Sequence, residues 1–147
     1  MKRGYFGIGV VNVKFEVNIG TLYRSAYVYG ADFIYTVGKR YRKQCSDTTK
    51  AFKHIPLFHF NNVDDLIEHL PYSCRLVGIE LDDHATMLKD FIHPERCCYL
   101  LGAEDSGLPK KATNLCHEIV MLPGKYCLNV STAGSIVLYD RHVKMGG

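Results

Sequence analysis

No stretch of roughly eighteen consecutive apolar residues, the length a membrane-spanning helix needs, occurs in this chain. Its opening, MKRGYFGIGVVNVKFEV, starts basic but interrupts its apolar run with glycine, asparagine and lysine, and no small-residue cleavage site follows. A soluble, cytoplasmic protein is therefore expected. The common nucleotide signatures are missing too. GIG at 7–9 lacks the third glycine and the following helix of a dinucleotide fingerprint, and no GxxxxGK[ST] phosphate loop is present. Metal-ligand spacing is also lacking, because Cys97 and Cys98 are adjacent and Cys116–His117 has no second close pair. No metal is expected. The remaining cysteines, Cys45, Cys74 and Cys127, are scattered through a chain able to build its own core, so all six are read as free thiols.

What is present is an ordinary globular balance: 147 residues, 47% hydrophobic and 22% charged. That length suits one domain, taken as 1–147. Short apolar runs rich in β-formers alternate with helix-like segments. Tyr5–Val11, Phe33–Val37, Leu57–Phe60, Arg75–Glu80, Cys98–Leu101 and Glu118–Leu122 read as strands. Between and after them, Ile19–Tyr29, Val63–Leu70, Pro109–Cys116 and Ser131–Val143 read as helices, with Asn18 and Asn62 as N-caps and Gly30 as a stop. The alternation predicts an α/β fold, a mainly parallel sheet with helices on both faces, and such sheets bind ligands beyond the carboxyl ends of their strands. Thr36–Ala51 is the one long polar connection.

Three segments carry chemistry-bearing residues, each with an ordinary structural explanation of its own. In NIGTLYRSAYVYGAD (18–32) Arg24 follows Asn18 by six residues and could be a plain surface arginine. GAEDSGLPKKA (102–112) follows a strand; its glycines permit close backbone approach or positive φ, and Pro109 suits a first helical turn. LPGKYCLNVSTAGSIVLYDR (122–141) ends in a helix that Asn129, Ser131 or Thr132 could cap. The net charge is only +3, yet GKRYRKQ at 38–44, with Lys50, Lys53 and His54 after it, gathers cations around Tyr41. Such a cluster suits phosphate contacts with a nucleic acid, and a solvated loop would look the same.

In this order and spacing the three segments resemble the three motifs of the SpoU/TrmH group of SPOUT RNA methyltransferases. Asn18 and Arg24 match the first, Gly102-x-Glu104-x-x-Gly107 the second, and Leu122-Pro123 with Leu128-Asn129-Val130-Ser131 the third. The resemblance spans nearly the whole chain. It implies a C-terminal deep trefoil knot, an architecture so rare that pattern alone would not suggest it. It also implies a homodimer and a 2′-O-methyltransferase that uses S-adenosylmethionine. By motif position Gly102, Leu122 and Leu128 would bind the cofactor, with Ile79 and Cys127 beside them. Arg24, Asn18, Glu104 and Asn129 would form the catalytic set, with Arg24 in the family's general-base position. A guanidinium holds its proton to very high pH, so stabilising an alkoxide or gripping the adjacent phosphate suits Arg24 better. Cys127 stands where the family commonly has serine, a departure that removes a good hydrogen-bond donor. The chain looks like the family's minimal members, several of which act on tRNA, and Lys39, Arg40, Arg42, Lys43, Lys50 and Lys53 are the RNA-binding candidates. Ribosomal RNA is the alternative substrate. A non-catalytic RNA-binding dimer is the alternative function, which loss of Arg24 or Glu104 would mark; both residues are present.

Overall fold

A computed structural model describes residues 4–14, 16–41, 51–125 and 128–146. Seven strands form one sheet: β1 (Tyr5–Val11), β2 (Phe33–Val37), β3 (Leu57–Phe60), β4 (Arg75–Ile79), β5 (Thr86–Met87), β6 (Arg96–Leu101) and β7 (Glu118–Met121). Their spatial order is β3-β2-β1-β6-β4-β7-β5, and every pairing is parallel. The helices are α1 (Glu16–Val28), α2 (Val63–Glu68), α3 (Lys110–Leu115) and α4 (Val130–Lys144). No helix among the described residues is long and apolar enough to cross a membrane.

Parallel strands buried on both faces need apolar residues on both, and the core divides accordingly. Phe6, Ile8 and Val10 of β1 pack with Ile19, Leu22 and Ala26 of α1 and with Val137 and Leu138 of α4. On the other face, Phe33, Tyr35 and Leu100 pack with Val63 and Leu66 of α2 and Ala112 of α3. The GIG of β1 belongs to this packing. A Cβ on Gly7 would lie 2.2 Å from the Phe33 ring, and one on Gly9 would lie 2.3 Å from the Tyr35 ring. Those glycines make room for aromatic side chains, not for a pyrophosphate.

The expected strands and helices form, with shifted ends. β4 stops at Ile79, β6 starts at Arg96 and β7 stops at Met121, while β5 has too few residues to show a period. Asn62 caps α2, its side-chain oxygen accepting from the Asp65 N–H. Gly30 takes positive φ just after α1. Asn18 departs from expectation: α1 begins at Glu16, so Asn18 lies inside the first turn and its side chain is spent elsewhere. Cys74, Cys97, Cys98 and Cys116 are free. Burial pushes the Cys97 thiol up to about 11 and the Cys116 thiol up to about 12, so neither is a thiolate near neutral pH. Cys45 lies outside the described residues.

At the amino end of the sheet, α4 is anchored by a buried polar cluster. Arg141, only 2% exposed, donates to the carbonyls of Pro94 (2.7 Å) and Glu95 (2.9 Å) and to the Tyr99 hydroxyl (3.1 Å). Its guanidinium lies 4.2 Å from the Phe6 ring centre. His93, 4% exposed, has Nδ1 2.6 Å from the Tyr99 hydroxyl and Nε2 2.7 Å from an Asp140 oxygen. Burial lowers the His93 pKa from 6.5, against the pull of Asp140 towards the imidazolium and with Arg141 and Lys144 adding to the lowering. A neutral ring bearing its proton on Nε2 fits the partners: it donates to Asp140 and accepts from Tyr99.

A histidine depressed in the folded state contributes full stability above its unfolded value and loses it as pH falls through its folded value. Thermal unfolding is therefore expected to shift to lower temperature as pH falls below 6.5, with a smaller slope in His93→Gln. Identical slopes in the two proteins would rule out His93 as the source.

Candidate active site

Because all pairings are parallel, β1, β4, β6 and β7 end at one edge, with Val10 beside Leu101 and Ile79 beside both Leu101 and Val120. The loops leaving this edge build the site. After β6 the chain turns back at once. The Gly107 N–H donates to the Ala103 carbonyl (2.8 Å), and the Ala103 N–H donates to the Gly107 carbonyl (3.2 Å). Gly102 allows this closure, since a Cβ there would sit 2.2 Å from the Gly107 carbonyl carbon, and Gly107 adopts φ +68°.

Glu104, carried by that loop, accepts from Asn18 Nδ2 (2.8 Å) with one oxygen and from the Lys14 backbone N–H (3.1 Å) with the other. Asn18 Oδ1 in turn accepts from Asn129 Nδ2 (2.9 Å). Asn129 Oδ1 accepts from the Ser131 hydroxyl (2.6 Å) and N–H (2.9 Å) and the Thr132 N–H (3.3 Å), capping α4. One residue from each motif thus joins a single hydrogen-bonded chain, Glu104 to Asn18 to Asn129. The two helices it ties also approach closely: a Cβ on Gly134 would lie 2.3 Å from Leu22 Cδ1, and the Ser25 and Ser135 hydroxyls are 2.7 Å apart.

The loop between β1 and α1 is held from its other side. The Tyr41 hydroxyl donates to the Val13 carbonyl (2.7 Å). Burial, with Glu104 nearby, pushes this phenol up to about 12, so it keeps the proton it donates. Lys14 pairs with Asp105, whose carboxyl is held below the usual range by that hydrogen bond.

Beside the chain lies a cleft with about 570 Å³ of empty space, partly open to solvent. Ile79, Leu101, Gly102, Leu122, Leu128 and Val130 supply apolar walls, and Glu80 and Glu104 are its charged lining residues. Leu81 and Leu128 form lips that are 39% and 44% exposed, apolar surface that a bound ligand would cover. Apolar walls with backbone donors and acceptors from folded-back loops suit a flat heterocycle joined to a polar chain.

The sequence profile of the SpoU rRNA Methylase family matches residues 6–139. The chain belongs to that family. The tRNA (guanosine(18)-2′-O)-methyltransferase of Escherichia coli (strain K12) is 23% identical over 129 residues, covering 84% of this chain and 56% of that protein. The chain thus spans little more than half of this relative's length. A SpoU methyltransferase from Streptomyces viridochromogenes, solved in complex with the cofactor AdoMet, superposes with a TM-score of 0.87 at 20% identity, covering 100% of this chain and 60% of that one. A structure described as giving insight into 2-OH methylation of C/U34 on tRNA superposes with a TM-score of 0.84 at 17% identity and covers 98% of each chain.

In this SpoU-family chain not every residue singled out from sequence meets the others. Asn18, Glu104 and Asn129 come together, and Ile79, Gly102, Leu122 and Leu128 line one cleft. Arg24 lies elsewhere on α1 than Asn18. Six residues further along α1 is roughly 240° round the axis, and the side chain is exposed. Tyr27, one turn on, stacks on His54 with ring centres 4.6 Å apart. Arg40 and Lys53 are exposed. Lys39 is exposed too, but it reaches inward, its Nζ 3.4 Å from the Lys14 carbonyl and 5.3 Å from the Tyr41 ring centre. Arg42, Lys43, Lys50 and Cys127 lie outside the described residues. Sequence reasoning passed over Glu80, although an acid directly after an apolar strand at a ligand-binding edge was a signal for it.

Proposed function

We propose that this chain is an S-adenosylmethionine-dependent RNA 2′-O-ribose methyltransferase whose substrate is tRNA. The observation that carries the proposal is the hydrogen-bonded chain from Glu104 through Asn18 to Asn129, which ties all three motifs together at the mouth of an apolar cleft. The choice of tRNA rests on a structural relative of almost the same length described with 2-OH methylation of tRNA. The cleft suits the adenosine and thioether portions of the cofactor, with Ile79, Leu122 and Leu128 as walls and backbone groups of the Gly102 loop as polar contacts. Cys127, beside Leu128 in sequence, is proposed to contribute backbone only. Bound there, the cofactor would supply the methyl group.

The residues themselves orient the reaction. Glu104 and Asn18 hold the start of α1, and Asn129 holds the start of α4, so these hydrogen bonds position one side of the cleft. Arg24 is then the group that grips the ribose or its adjacent phosphate and stabilises oxygen charge as the hydroxyl proton passes to solvent water. Its place on the far side of α1 supports a site completed between two copies. Val17, Val28, Ile136, Tyr139 and Val143 expose apolar surface on α1 and α4, the face proposed for the homodimer. A trefoil knot formed by the chain around the third motif is part of the same proposal, as is action of residues 1–147 as one domain.

The test is methylation of unmodified tRNA and rRNA transcripts by the purified protein with S-adenosylmethionine, followed by mass spectrometry of the digested nucleosides. A 2′-O-methylnucleoside from tRNA alone is expected. A base-methylated product, or no product from either RNA, would overturn the proposal.

The exposed cations Arg40 and Lys53, the latter next to His54 of the Tyr27–His54 stack, are proposed RNA contacts. Reversing both to glutamate is expected to weaken tRNA binding at least tenfold. The salt dependence of log K should flatten by about one unit per lost phosphate contact, while cofactor affinity holds. Filter binding across a salt series measures this, and an unchanged slope would place the RNA elsewhere.

A further inference from the structure

Glu80 is the feature of the cleft that the three motifs do not account for. It stands at the carboxyl end of β4, half-buried, immediately after Ile79. One carboxylate oxygen accepts from the Leu108 N–H at 2.6 Å and the other from the Leu81 N–H at 2.9 Å. Space for it comes from Gly107, where a Cβ would lie 2.3 Å from Glu80 Oε2. Both amides are neutral, and among the described residues no cationic side chain pairs with Glu80 and no lysine or arginine lines the cleft there. Glu104, the cleft's other acid, is differently placed, since both its oxygens are directed to Asn18 and Lys14 at the start of α1.

A carboxylate held rigid by two backbone donors in a largely apolar cleft, with its charge unbalanced, produces a field that favours a cation. We propose that Glu80 is a specificity residue through which the cleft prefers a cationic sulfonium ligand to the corresponding neutral thioether. This rests on the reading of the cleft as the S-adenosylmethionine site. Spent cofactor has lost the sulfonium charge but keeps the adenosine, the ammonium and the carboxylate, so every other contact is common to both. Glu80 therefore acts on the difference between substrate and product, holding the charged form and releasing the neutral one. The bond to Leu108 keeps the carboxylate still, and so turns a loop anchor into a fixed charge.

The experiment is calorimetric titration of the purified full chain, wild type and Glu80→Gln, with S-adenosylmethionine, S-adenosylhomocysteine and the amine-bearing analogue sinefungin. Glutamine retains an acceptor for Leu108 and removes the charge. The wild type is expected to bind the two cationic ligands more tightly than S-adenosylhomocysteine, and the variant's preference is expected to fall roughly tenfold. A variant that keeps the wild-type ratio, including one that weakens all three ligands equally, would overturn the inference while leaving the cofactor site intact. Failure of the wild type to bind any of the three would instead overturn the cofactor reading itself. Should the variant not fold, the wild type still decides: its preference for the cationic ligands must shrink as salt rises, and no preference at low salt sinks the proposal.

Discussion

Arg24→Lys is expected to lower methyl transfer to tRNA by roughly two orders of magnitude, with cofactor affinity within about twofold of wild type. The substitution keeps the positive charge and nearly the same helix propensity, so α1 should form normally. What it removes is the planar fork, which can hold a phosphate or a developing alkoxide through two parallel N–H groups where an ammonium offers a single mobile point charge. Arg24 is absent from the cleft lining and exposed on α1, which is why cofactor binding is expected to be spared. Single-turnover transfer with saturating RNA, beside calorimetric titration of the cofactor, separates the two quantities. A near-normal rate would remove Arg24 from the mechanism, and a matching loss of cofactor affinity would point to misfolding.

Arg141→Ala is expected to destabilise the fold by about 3–5 kcal/mol, because buried acceptors lose their donor and a cavity opens, and not through the cleft. The arginine is 2% exposed and satisfies the Pro94 and Glu95 carbonyls and the Tyr99 hydroxyl at once. Its removal leaves those groups without that donor and opens space against the Phe6 ring. Urea unfolding should show the midpoint falling at an unchanged m-value. A loss below about 1 kcal/mol would mean that the cluster contributes little beyond its packing.

How far the sequence discloses this molecule depends on the range of the interaction. Local signals served well: apolar runs marked six of the seven strands, and Asn62, Gly30 and Asn129 punctuate helices as their chemistry suggests. β5, two residues long, carries no period. Asn18 looked like a cap because its helix preference is local, but Glu104, 86 residues away, holds its side chain inside the first turn. Strand order is likewise non-local, with β6 inserted between β1 and β4. The meeting of Asn18, Glu104 and Asn129 was suggested only by resemblance to a family, since nothing in their spacing places them together. Glu80 has a local mark, an acid directly after an apolar strand, but its anchoring to Leu108, 28 residues on, is non-local.

The bond from Asn18 to Asn129 spans 111 residues and closes only when the last helix has docked. During synthesis, then, the first motif emerges long before the residue that completes it. A nascent chain lacking α4 lacks the cap on that helix and the third link of the site together. Leu128, Val130 and Ala133 join the cleft only with that helix, so binding at the proposed cofactor site is expected to appear late, making it a reporter of completed folding.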